Sequence, residues 1–525
     1  MMTLARKPLS AARTHCEQAS YATARAGSLG PAVGRASGAR PKITRGFLSA
    51  TFWLSAAALC ACSSGSGGAV CGDGTCDATE DCTSCAQDCG SCAVCDRDGT
   101  CEAGESCQGC PSDCPCCDHD GSCDLDETPA SCPDDCRADP QLVQISDFEY
   151  AGAFRLPADT FGISELNFSQ GPIEVDPAAG SIFIVGHTYQ QAIAEFVMPA
   201  LVVSSRLSEL NMASAPRQTF ASVLDRARGG NPQAIDTLAA LKLVGGPRGT
   251  ELLVNAYEYY DAPADNTHTT LVVRDPSHLT SSPVDGFFAL QGAAHAAGWM
   301  SPIPVAWQTP LGGAWLTGSS SGFPIISRLS VCPSAFVFDP LAMVGQDNVP
   351  DPVPTTPLLD FSLEHPLHED LSNETGQNDL WTHLSRAVFG FVVPGTRSYV
   401  TLGHSGGHGP GGVCYKCTPT GENEPCGGYC AVDPDDYSLY YWFFDLDDLV
   451  AVRQGRKAPH EVRPYAYGPF TSPIPASELG GGAYDPGSGL LYLTLQRADT
   501  EQGEYANPPV VAAYRVRSDR LGKAY

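Results

Sequence analysis

Nine side chains carry the chemistry of a ligand site: His187, Glu258, Tyr260, Trp381, His383, Arg386, His404, His408 and Arg497. Each lies in a polar segment next to a short apolar run. Imidazole, guanidinium, carboxylate and aromatic groups are what a protein gathers around a polar ligand. Taken singly, an exposed loop histidine or arginine usually does nothing specific, so the expectation rests on their gathering. Five carboxylates on or beside the same segments, Glu165, Glu258, Asp261, Glu478 and Asp499, suggest a second chemistry. Glycoside hydrolysis needs a carboxylic acid and a second carboxylate at a defined gap. No glycosidase signature surrounds these acids. No GxSxG elbow, phosphate-binding loop, HExxH helix or dinucleotide fingerprint occurs either, so no catalytic residue is assigned.

Two further clusters have metal-ligand spacing. His404-Ser-Gly-Gly-His408 sets two imidazoles four apart, a spacing that can wrap an ion, but no third ligand accompanies them and an ordinary glycine-rich loop is the expected reading. Cys414-x-x-Cys417 and Cys426-x-x-x-Cys430 would be a zinc candidate in a reducing cell; in an exported chain they are expected to form disulfides that staple a long loop. Cys332, in an apolar run, is expected to be a buried free thiol.

The elements that must position these groups read as β-strands. Short runs of Val, Ile, Thr and aromatics are punctuated by 54 Gly and 42 Pro. A strand–Asp-Pro-turn–strand fragment recurs as IEVDPAAGSIFIV at 173–185 and AYDPGSGLLYLT at 483–494, with looser copies at 241–254, 305–317 and 389–401. Each copy is followed by another apolar run: AIAEFVMP, TTLVVRDP, SAFVFDP, LYYWFFDL and VVAAYRV. Repeated up-and-down strand sets predict an all-β chain built as a β-propeller, most simply of five blades. A larger number of blades and a β-sandwich with insertions are the alternatives. The N-terminal run EYAGAFRLP is expected to complete the last blade and leave no open edge. In that arrangement the segments after each second strand share one face with those leading into each hairpin. GHTYQQ, NAYEYYD, TGSSSGF, LGHSGGHG and LQRADTE would then join SELNFSQG, WTHLSRA and ASELGGG at one mouth.

Ahead of the propeller, residues 71–136 hold sixteen cysteines in a threefold acidic repeat. Such dense cysteines imply an oxidising compartment. The Asp-Gly pairs are each followed by a distal Glu; in the last two copies the acids are Asp96, Asp98 and Glu105, then Asp118, Asp120 and Glu127. They overlap the later half of an EF-hand loop, which makes calcium a candidate cofactor. Ala69, Val94 and Cys116 stand where the first ligand belongs, and a solvated disulfide-stapled spacer is the competing reading. The pattern resembles the CGDGxC repeats of predicted myxobacterial secreted proteins and lipoproteins, and that resemblance implies surface display.

The N-terminus points the same way. Eight Lys or Arg precede the apolar run Phe47 to Leu59, and Leu59-Cys60-Ala61-Cys62 resembles a lipobox with Cys62 as the lipidated residue. The expected organisation is a lipoprotein signal peptide at 1–61, a flexible tether at 62–70, cysteine-rich repeats at 71–139 and the propeller at 140–525. The formal net charge of −28 disfavours nucleic acid and anionic lipid as partners. The expected protein is a monomer exported to the outer membrane and held there by its lipid. Its role would be to bind a glycan, peptide or partner protein, with a secreted carbohydrate-active hydrolase or lyase as the alternative.

Overall fold

A computed structural model of the chain describes residues 141–169, 171–261, 265–319 and 333–516, together with the isolated Gln87. The lipidation candidate Cys62, the six calcium-ligand candidates Asp96, Asp98, Glu105, Asp118, Asp120 and Glu127, and Cys332 lie outside the described residues.

The described chain folds as a five-bladed β-propeller. It opens on β1 (Phe148–Arg155). The first blade is β2 (Ile173–Asp176), β3 (Ser181–Val185), β4 (Ala192–Val197) and β5 (Gln218–Ser222). The second is β6 (Thr237–Gly246), β7 (Gly249–Tyr257), β8 (His268–Val273) and β9 (Val284–Ala289). The third is β10 (Met300–Pro302), β11 (Trp315–Thr317), β12 (Ala335–Phe338) and β13 (Thr355–Leu359), with helix α1 (Val305–Leu311) between its first two strands. The fourth runs β14 (Arg386–Val392), β15 (Ser398–Gly406), β18 (Tyr437–Asp445) and β19 (Ala466–Phe470). It carries an inserted hairpin, β16 (Val413–Tyr415) with β17 (Tyr429–Ala431), and helix α2 (Leu446–Arg453) after its third strand. The fifth is β20 (Leu479–Asp485), β21 (Leu490–Leu495) and β22 (Val510–Val516), completed by β1. No helix among the described residues is long and apolar enough to cross a membrane.

Every ladder is antiparallel, as the short Gly- and Pro-containing turns require. The second and third strands are apolar on both faces: β3 is buried throughout, and Ile182 opposes Phe196 across the ladder. Stacked blades explain this, because each sheet packs a neighbour on both sides and alternation is lost. The innermost strands touch in the cyclic order β2, β6, β10, β14, β20 and back to β2, which closes the ring. Closure is completed by β1, paired from Phe148 opposite Val516 to Arg155 opposite Val510. This is the expected role of EYAGAFRLP.

Four of the five repeat copies are the expected inner hairpins. The copy at 305–317 is not, because Val305–Leu311 forms helix α1 and the inner strand is instead the short β10. This short helix starts after Pro304 and ends at Gly312, whose left-handed φ of 88° suits a helix C-terminus. The outer strands β5, β9, β13 and β19 add to the first four blades a fourth element that the repeat fragment does not contain, and β1 does so in the fifth.

Candidate functional site

Strand direction assigns the loops to two faces. On one, here the mouth face, lie the connections between blades and the loops after each second strand. The tight hairpin turns and the segments holding α1 and α2 lie on the other. The axis itself is nearly shut. Pro172, Ala239, Trp299, Phe389, Gly481 and Gly482 leave a gap of about 10 Å³, room for one water at most. Gly481 and Gly482 are needed for this close approach: a Cβ at Gly481 would sit 2.7 Å from Pro172 Cα, and one at Gly482 would sit 2.7 Å from the Phe389 ring. Trp299 plugs the centre, its Nε1–H donating to Tyr399 Oη at 3.1 Å.

Above this plug, side chains from three blades meet. Arg386, at the start of β14, opposes His404 of β15 across the ladder. Its Nη2 donates to Tyr257 Oη at 3.2 Å. Tyr257 ends β7, so the guanidinium reaches from the fourth blade to the second, which are not neighbours in the ring. From the fifth blade, Arg497 forms an ion pair with Glu478. Burial pushes the His404 imidazole down to about 4, with Glu478 opposing that shift and Arg386 and Arg497 reinforcing it. A hydrogen bond to the Leu479 backbone also acts on this ring. His404 Nδ1 is buried without a hydrogen-bond partner among the described residues, as is Gln496 Nε2 one residue before Arg497. Arg497 is held at φ 53°, a left-handed conformation that side chains adopt at a cost.

The other candidates separate from this cluster. His187 lies on the same face but lines an outer groove of about 560 Å³ between the first and fifth blades, together with Asp159, Glu165, Phe168 and Tyr505. Glu258 is half-buried and accepts from Asn266 Nδ2 at 3.1 Å, and Tyr260 is exposed. Trp381 is core: it is 1 % exposed and packs on Trp442 with ring centroids 4.8 Å apart. His383 packs on Tyr429 of the inserted hairpin at 4.3 Å, and burial lowers its pKa. His408 is structural, with Nε2 bonded to Ser405 Oγ at 2.7 Å, Nδ1 to the Asn378 carbonyl at 2.8 Å, and its ring stacked on Tyr440. Both of its nitrogens are occupied, so it forms no metal pair with His404. His404 itself belongs to a strand and not to a loop, because β15 runs on to Gly406. Gly403 permits this, since a Cβ there would lie 1.8 Å from the Arg386 carbonyl oxygen.

Of the five carboxylates, two are used up by the fold. Asp261 is fully buried and accepts from the backbone N–H groups of Asp265 and Asn266 at 3.0 and 3.1 Å. Asp499 is fully buried and accepts from Arg155 Nε at 2.7 Å and Nη2 at 2.8 Å. The four cysteines of the inserted loop pair as Cys414–Cys417 and Cys426–Cys430. Cys430 Sγ also lies 3.6 Å from Cys417 Sγ, so both bridges share one knot.

Tyr257, Gln496, Phe168, Tyr505 and Asp159 were not singled out from the sequence. Three of them lie within segments expected at the mouth, but no residue pattern separates them from neighbours such as Tyr259. The face does have a clear character: of seven exposed aromatic side chains among the described residues, six (Phe168, Tyr189, Tyr259, Tyr260, Tyr415 and Tyr505) stand on its loops.

No protein-family model and no curated protein matches this chain. Among solved structures, it is similar to an alpha-L-arabinofuranosidase from Podospora anserina in complex with cellotriose. That similarity has 12 % identity and a TM-score of 0.29, over 70 % of this chain and 98 % of that chain. It is also similar to the catalytic domain of a GH62 alpha-L-arabinofuranosidase from Coprinopsis cinerea, at 11 % identity and a TM-score of 0.28 over the same shares. At this similarity no residue role passes from those proteins to this chain.

Proposed function

We propose that this chain is an exported, lipid-anchored binding protein whose propeller holds a saccharide on its mouth face. The observation that carries the reading is the groove between the first and fifth blades. There Phe168 and Tyr505 are 50 % and 82 % exposed beside Asp159, Glu165 and His187. A sugar ring presents C–H groups on its faces and hydroxyls on its edge, so it suits flat rings flanked by carboxylate and imidazole acceptors. A peptide would ask instead for an apolar slot or an open strand edge. The groove is also pre-organised. Gln502 Nε2 donates to the Leu156 carbonyl at 2.7 Å, Ala158 N–H donates to Gln502 Oε1 at 2.9 Å, and Phe168 N–H donates to Asn507 Oδ1 at 2.9 Å. Walls fixed in this way lose little entropy when a ligand enters.

The full chain is expected to bind oligosaccharides in a library screen, and Tyr505→Ala is expected to weaken binding by about 5- to 30-fold, the equivalent of roughly 1–2 kcal/mol. If no oligosaccharide binds, or if Tyr505→Ala and Phe168→Ala bind unchanged, the reading is wrong. A second reading, hydrolysis, is favoured by one observation: Asp159 and Glu165 line the same groove. It predicts released sugar that disappears in Glu165→Gln, and an unchanged chain-length profile after long incubation would remove it. The anchor is tested by lipid labelling that Cys62→Ser should abolish. Calcium at the acidic repeats is tested by titrating the full chain with the metal, where an absence of heat would count against it.

A further inference from the structure

We infer that the groove between the first and fifth blades selects a basic saccharide, one that carries a free amino group on its sugar ring. This rests on the saccharide reading above and names its class. The groove is open, at about 560 Å³, and its walls hold two carboxylates, Asp159 and Glu165, with no Lys or Arg. Asp159 is exposed, and its carboxylate has no partner among the described residues. Glu165 is half-buried and engages one oxygen, Oε2, which accepts from Thr160 Oγ1 at 3.0 Å. Both acids stand on one edge because the chain doubles back at 161–164, where Phe161 N–H donates to the Ser164 carbonyl at 2.9 Å. The facing wall is tied to this edge, since Asn507 N–H donates to Asn167 Oδ1 at 2.9 Å.

No nearby cation cancels these charges. Arg155, in the seam behind Gln502, meets two carboxylates, Asp499 and Glu501, and adds no net positive charge. His187 accepts the Tyr189 N–H at Nδ1, 3.1 Å away, an arrangement that only the uncharged ring can make. An ammonium in place of a ring hydroxyl brings three donors and a positive charge to the free carboxylate oxygens. Such charge-assisted bonds are roughly twice as strong as neutral ones. Phe168 and Tyr505 act in the same sense, because the face of an aromatic ring is negative and attracts a cation. A carboxylated or sulfated saccharide would be repelled by both features. The formal net charge of −28 adds a field that draws a cationic ligand toward the protein.

The test compares binding of the full chain to a glucosamine trimer with free amines and to the same trimer fully N-acetylated, with spermidine as a cation that is not a sugar. Expected is a preference of about tenfold or more for the free amine over both, the size of one charge-assisted bond. The preference should fall below about twofold when Asp159→Asn and Glu165→Gln are combined. Asp159→Asn alone breaks no contact of the fold and is expected to lie between. Binding of the acetylated trimer should survive these changes and weaken in Tyr505→Ala. Equal binding of the two trimers, or tighter binding of the acetylated one, overturns the basic-sugar inference and leaves the saccharide reading standing. So does a preference that the combined variant leaves unmoved. Spermidine bound as tightly as the glucosamine trimer overturns the inference in favour of charge alone. If no oligosaccharide binds, both readings fall together.

Discussion

The seam where the propeller ring closes makes the sharpest stability prediction. Arg155 ends β1, and its guanidinium grips Asp499 through two parallel bonds of 2.7 and 2.8 Å. Asp499 is fully buried and Arg155 is 12 % exposed, so water screens this pair little. Arg155→Met would remove both donors and leave the carboxylate with Gln502 Nε2 at 2.7 Å and the Glu501 N–H at 3.2 Å. Stranding one member of a buried ion pair costs about 3–5 kcal/mol. With an unfolding entropy of about 2.1 cal/mol/K per residue over about 380 residues, that becomes a fall of roughly 4–6 °C in Tm. Asp499→Asn keeps one acceptor and frees only a guanidinium that can turn toward solvent, so it should cost less, about 1.5–3 kcal/mol. Replacing both partners with Met and Leu should recover much of the loss, because no buried charge then remains. The assay is a thermal scan of the full chain at fixed rate, followed by near-UV dichroism. A shift below about 1 °C for Arg155→Met, or a larger loss for Asp499→Asn than for Arg155→Met, would refute the seam argument. Asp499→Asn should also leave saccharide binding intact, because this acid belongs to the closure and not to the mouth.

Other outcomes follow from the same geometry. Trp299→Ala empties the axial plug and should destabilise by about 3–5 kcal/mol in denaturant titration. Gly390→Ala pushes a methyl to 2.6 Å from Trp299 Nε1 and should cost about 1–3 kcal/mol; a neutral result would mean that the plug is loosely held. Burial raises the Glu174 pKa, and Lys242 Nζ lies 2.8 Å away, so Lys242→Met should cost about 3–5 kcal/mol near pH 7. That cost should shrink as the pH is lowered and Glu174 takes up a proton. His404 titrates in the opposite sense. Its folded value near 4 lies below an unfolded value of about 6.5, so its contribution is complete above pH 6.5 and is lost as the pH falls through 4. His404→Gln should therefore remove roughly 3 kcal/mol of acid sensitivity across that window, and an unchanged difference in stability between pH 7 and pH 4.5 would count against it.

How much of this was legible in the residues depended on local redundancy. The inner hairpins carried an apolar run, an Asp-Pro-x-x-Gly or similar turn, and a second run, and four of five were read correctly. The third blade escaped because β10 and β11 are only three residues each, and the copy assigned to it contains a helix. The outer strands left almost no trace. QTFAS, VDGFFA, TTPLL and AYGPF mix polar residues with Gly and Pro, because an edge strand buries one face at most and needs no sustained pattern. At the mouth, sequence logic placed the segments on one face but could not say which side chains turned inward. Trp381 and His408 were indistinguishable in type from site residues, yet packing against Trp442 and bonds to Ser405 and Asn378 claimed them for the core.

The sequence by itself determined the all-β propeller and its closure by the N-terminal strand, because both are written in short-range patterns of apolar runs and turns. It also determined that polar and aromatic loops gather at one end, since in an up-and-down sheet the face of a loop follows from its order alone. Only the tertiary structure decided which of those residues meet. Arg386 finds Tyr257 129 residues away, and Arg155 finds Asp499 344 residues away. Such pairings depend on how five sheets lean around an axis, and no local stretch of chain encodes that.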